Sequence, residues 1–160
     1  MSQYTVKEQA RLVALPTAII MAVIVMSEAD PTNALRDVID RLDFVLEVKQ
    51  AYPDNVLIQG TFADTEISLR VLHLSSVSDK EAVWRQLRLY IEKVSALLGV
   101  DAESREFRAF LAALVKKLAK DAGKGLFGND PLMVKAQREY LKTLEQQFSY
   151  ASRLQPYSTA

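Results

Sequence analysis

Apolar residues are distributed along this chain in two ways. From Leu12 to Met26 they follow one another, interrupted only by Pro16 and Thr17; elsewhere they return every third or fourth residue, the spacing of one helix face. Thr5-Val6-Lys7-Glu8 fits the capping box, a hydroxyl at the N-cap and a carboxylate three residues on. It predicts a short first helix, disturbed near Pro16, whose ring and missing N–H disfavour a helix interior. Ala18 to about Ser27 is apolar nearly all round, which predicts a helix buried on most sides and central in the fold.

Asp30-Pro31 reads as an N-cap followed by proline at the first helical position. The helix predicted from Pro31 to about Ala51 gathers Leu35, Val38, Ile39, Leu42, Val45 and Leu46 on one face. Phe44 and Val48 fall opposite, and Asp40, Asp43 and Glu47 form a third stripe with Arg36 among them. Tyr52-Pro53-Asp54-Asn55 ends it. Val56 to Phe62 could pass for a strand, but a lone strand has nothing to pair with, so a loop or short helix is expected.

Asp64 is placed to cap a helix through about Leu74 that buries Ile67, Val71 and Leu74. Ser78-Asp79-Lys80-Glu81 opens another, with Val83, Leu87, Tyr90, Ile91, Val94, Leu97 and Leu98 in register, stopped by Gly99. Trp84 is offset from that stripe. Asp101 is placed to cap a helix whose face is Phe107, Phe110, Leu111, Leu114, Val115 and Leu118. Lys116, Lys117, Lys120 and Lys124 gather near its C-terminus, where the helix dipole favours cations. Asp130-Pro131 repeats the N-cap and proline device, and the last helix carries Met133, Ala136, Tyr140, Leu141, Leu144 and Phe148 before fading ahead of Pro156. The expected fold is all-α: a single-domain bundle of about seven helices over residues 1–155, followed by a tail, 156–160.

Composition narrows the chemistry. At 49% apolar and 25% charged the chain is an ordinary globular one. With no cysteine, disulfides, thiolate catalysis and Cys-ligated zinc are closed; with His73 alone, so is any site needing two histidines in one chain. Bases and acids balance, 20 against 20, which leaves no global footprint for nucleic acid. The balance conceals an asymmetry: nine acids against three bases from Glu28 to Glu66, then eight against thirteen from Arg85 onward. Such halves complement each other within a molecule or a dimer, or serve a cation or a basic partner. The start of the chain lacks a signal-peptide pattern, and the 15-residue apolar run falls short of the ~20 a membrane span needs. A cytoplasmic protein without membrane insertion is expected.

Gly123-Lys124-Gly125-Leu126-Phe127-Gly128 matches the dinucleotide fingerprint in letters, but a helix is predicted before it where a strand is required. It reads as a helix end and a turn. A di-iron carboxylate site wants Glu-x-x-His, and Arg70 stands where that glutamate would precede His73. A hard divalent cation (calcium, magnesium or manganese) needs only oxygens. Glu28 and Asp30 in the turn, with Asp37 two turns into the next helix, are the candidate ligands.

Ala22-Val23-Ile24-Val25-Met26-Ser27-Glu28-Ala29-Asp30, followed by Asp37, resembles the apolar helix, Ala-Asp-Gly turn and later acid of the tellurite-resistance TerB-like family, with Pro31 in place of the glycine. Leu74 to Glu81 resembles the turn of the family's second half, and Leu97-Leu98-Gly99-Val100 its helix ending. The resemblance spans roughly Ala10 to Leu118. It implies a small, cytoplasmic, all-helical, stress-associated protein that binds through acidic surface residues and is not an enzyme. The alternatives are an enzyme with an acidic site and a purely structural or scaffolding bundle. Phe44, Val48, Trp84 and the charge asymmetry also point to a homodimer or another protein partner.

Overall fold

The computed structural model describes residues 2–25, 31–72, 79–123 and 130–158, with side chains described for 2–25, 33–72, 79–122 and 130–149. Among them every regular element is helical: α1 Val6–Val13, α2 Leu15–Ile24, α3 Pro31–Asp40, α4 Phe44–Ala51, α5 Val56–Gly60, α6 Thr65–Val71, α7 Lys80–Ser95, α8 Ala102–Gly123 and α9 Pro131–Ser158. They form two compact units, Met1–Leu98 and Gly99–Ala160. No described helix is long and apolar enough to cross a membrane.

In the first unit the apolar run becomes α2, buried along its whole length. It packs chiefly against α7, and also against α3. Pro16 costs less than the sequence pattern implies, because α2 restarts at Leu15 and places the proline in its first turn, where no N–H is needed. The capping box ahead of α1 is complete: Thr5 Oγ1 accepts from Glu8 N at 3.1 Å, and Glu8 Oε1 accepts from Thr5 N at 2.9 Å. Tyr90 Oη donates to Arg11 O at 2.6 Å and so ties α7 to the end of α1; burial raises its phenol pKa.

The helix expected from Pro31 to Ala51 is two helices. Residues 41–43 turn through i→i−3 bonds, Arg41 N to Val38 O at 3.1 Å and Leu42 N to Ile39 O at 3.0 Å. The tightened turn changes the register. Leu35, Val38 and Leu42 stay buried, whereas Leu46 swings out to 64% exposure and Phe44, Val45 and Val48 are half-buried.

Val56–Gly60 is the short helix, α5. Asn55 Oδ1 caps it by accepting from Ile58 N at 3.0 Å, and Gln59 Nε2 donates back to the α4 carbonyl Lys49 O at 2.8 Å and to Tyr52 O at 3.0 Å. With the split of α3 from α4, this accounts for nine described helices where about seven were expected. Phe62 follows with φ of 60°, a left-handed conformation in which glycine is the usual choice.

Asp64 caps α6 by accepting from Ile67 N at 3.1 Å. The inward face of α6 differs from expectation, however: Ser68 and Leu72 are buried, Val71 is half-buried and Ile67 is 53% exposed, while Leu74 lies outside the described residues. Asp79 caps α7, accepting from Glu81 N at 3.2 Å, while Ser78 lies outside the described residues. The helix ends at Ser95, ahead of Gly99, through i→i−3 bonds at Leu97 and Leu98. Val83, Leu87, Ile91, Val94 and Leu98 are buried as the spacing predicts; Tyr90 and Leu97 are half-buried.

The second unit is built on α8 and α9. All six residues of the predicted α8 face are at most 2% exposed. Leu141, Leu144 and Phe148 are buried from α9, but the position expected of Ala136 is taken by Gln137, and Ala136 is exposed. Buried Arg108 donates from Nη1 to Gly99 O at 2.7 Å, holding the chain before α8 against that helix. Asp130 caps α9, accepting from Leu132 N at 3.0 Å. The helix then continues through Pro156 to Ser158, past the predicted end, although proline's ring and missing N–H weigh against an interior position.

Candidate functional site

Asp37, the one candidate ligand within the described residues, is exposed on α3; Glu28 and Asp30 lie outside them. Asp40, Asp43 and Glu47 are exposed as well. Among the described residues no three acidic, histidine or cysteine side chains gather closely enough to hold a metal. His73 and Lys124 to Gly128 of the glycine motif also lie outside the described residues; Gly123 closes α8, so a helix does precede the motif. Trp84 is half-buried and engaged on its own helix: the Arg88 guanidinium stands 4.5 Å from its ring centroid, a cation–π contact one turn on.

A feature the sequence reading did not single out lies in the second unit. A groove of about 620 Å³ runs beside α9, bounded near its start by the end of α8. From α9 it is lined by Pro131, Val134, Lys135, Arg138, Glu139, Lys142 and Glu145; Ala119 and Lys120 come from α8. Successive α9 side chains are turned about 100° from one another. The groove residues therefore occupy a flank centred roughly a third of a turn round from buried Leu141, Leu144 and Phe148. The Asp130 cap and Pro131 fix where the helix begins and hence which flank this is.

The floor is apolar, from Ala119, Pro131, Val134 and the alkyl stems of the long cations. The rim carries Lys120, Lys135, Arg138 and Lys142 against Glu139 and Glu145. None of the four cations forms an ion pair with another described residue. By contrast Lys117, one turn before buried Asp121 on α8, lies 3.3 Å from its carboxylate and is committed there. The sequence signal was the spacing Lys135, Arg138, Lys142, three and four residues apart on one flank. Alone it cannot be told from a solvated face until the end of α8 is placed beside it. The site offers attraction for negative charge and a surface for apolar contact. No known protein family, curated protein or solved structure matches the chain.

Proposed function

We propose that this chain is a non-enzymatic binding protein, and that the groove between α8 and α9 takes a negatively charged partner. The observation that carries this is four cations without ion-pair partners among the described residues, set round an apolar floor. Cationic rims steer and orient an anionic partner, while apolar contact supplies affinity. No hydroxyl, thiol or imidazole is among the described residues that line the groove. The finer features of the proposal are a TerB-like arrangement and a cytoplasmic, stress-associated role. Apolar α2 leading toward the acidic segment before α3 supports the first. Titrating the protein with an acidic peptide is the test. Binding should weaken from about 0.1 M to about 1 M salt, as the screening length falls from ~10 Å to ~3 Å. Binding indifferent to salt, or none, would refute it.

A divalent cation at Glu28, Asp30 and Asp37 is a second proposal, favoured by the exposure of Asp37 in mid-helix, where it has no capping duty. Calcium, magnesium or manganese should then raise the melting temperature in proportion to ln(1 + [L]/Kd). Asp37→Ala should leave the fold intact and diminish the rise. A melting temperature unmoved by all three ions in both proteins would end the idea.

A further inference from the structure

The groove follows α9 for much of its described length. Pro131 and Glu145 are fourteen residues apart, which is about 21 Å of helix at 1.5 Å per residue. A small molecule buried on most sides needs an enclosed cavity. A trough running along a helix suits a rod. Its cations recur at steps of three and four residues, Lys135 to Arg138 to Lys142, the same steps at which side chains line up along one face of another helix. Its apolar floor at Val134, Pro131 and Ala119 is placed to receive the ridge of an amphipathic helix, as in helix-in-groove recognition.

Charge selects the class further. The rim is mixed, four cations and two carboxylates. Glu139 and Glu145 stand among the cations and would repel a ligand of uniform negative charge, such as a phosphate backbone or an anionic lipid surface. A concave trough also meets a flat membrane poorly. A protein helix with acids on both sides of an apolar ridge, and a base or two among them, matches the rim sign for sign.

Building on the anion-binding reading above, we propose that the α8–α9 groove is a docking site for an acidic amphipathic helix of a partner protein. Lys120 approaches it from α8, Lys135, Arg138 and Lys142 contact its carboxylates, and Val134 meets its apolar ridge.

The test uses the full chain and four probes: a synthetic helical peptide with a leucine ridge flanked by glutamates, a scrambled peptide of the same composition, tripolyphosphate, and phosphatidylserine vesicles. The amphipathic peptide should bind most tightly, and scrambling should weaken it on the order of tenfold or more, because the ridge is lost while the charge is kept. Arg138→Glu with Lys142→Glu should weaken it by a similar factor or more through like-charge repulsion. Val134→Glu should do so without reversing a cation. Lys120→Glu, on the other helix, provides a further variant should changes in α9 disturb folding, which circular dichroism reports. Equal binding of the two peptides, or binding of tripolyphosphate or vesicles in preference to both, would overturn the helix-docking proposal while leaving the anion-binding reading in place. No binding of any probe would overturn both.

Discussion

Phe107→Ala should cost about 3–5 kcal/mol, the largest single loss expected from the second unit. Phe107 is fully buried, and its ring is stacked on that of Phe110 with centroids 6.0 Å apart and planes at 30°. Leu111, Leu114, Val115 and Leu118 continue the same face of α8, each without exposed surface. Truncation removes the transfer energy of a benzyl group and leaves a cavity that close-packed neighbours fill only in part. Leu132→Ala is the matched control. Leu132 is 81% exposed, so its loss should stay within about 0.5 kcal/mol. Urea unfolding followed by helical circular dichroism checks both, and a loss below about 1 kcal/mol for Phe107→Ala would contradict the packing.

Gly60→Ala should destabilise the first unit by about 1–3 kcal/mol, despite alanine's better helix propensity. A Cβ at residue 60 would lie 2.8 Å from Val13 Cγ2 and 3.2 Å from Cγ1, closer than packed carbons tolerate. Valine is branched at Cβ and stiff about χ1, so it cannot simply rotate away. The cost should therefore depend on Val13. In a Val13→Ala background the methyls are gone and Gly60→Ala should be close to neutral, a coupling of about 1–2 kcal/mol in the double-mutant cycle. Equal costs in the two backgrounds would mean that α1 and α5 are not packed through this contact.

What could be read from the sequence was mostly local. The Thr5–Glu8 capping box, the Asp64 cap and the Asp130-Pro131 start all form as written, because each depends on three or four adjacent residues. The six-residue face of α8 was equally legible, since an uninterrupted helix keeps its 3.6-residue register. The break between α3 and α4 was not. No glycine or proline marks residues 41–43, and the turn arises from i→i−3 bonds that carry no residue signature. One such turn moved Leu46 from the expected core to the surface and brought Phe44 and Val48 partly inward.

The inward face of α6 departs from the apolar pattern because Ser68, a small polar residue, occupies a buried position that hydrophobicity alone assigns to Ile67. Of the candidate cation ligands Glu28, Asp30 and Asp37, only Asp37 lies among the described residues, and it is an exposed carboxylate on α3. The groove stayed hidden because its rim combines residues from two helices more than ten positions apart. Lys120 was accounted for by the helix dipole, and nothing local links it to Lys135 or Arg138.

The most direct measurement on the groove is residue-resolved. With the protein labelled with nitrogen-15, amide shifts can be followed while the acidic amphipathic peptide is added. Docking predicts saturable shifts concentrated at Ala119 and Lys120 and along Val134, Lys135, Arg138 and Lys142, and their disappearance in Arg138→Glu with Lys142→Glu. Shifts confined to residues of the first unit, or none at saturating peptide, would contradict a binding role for this groove.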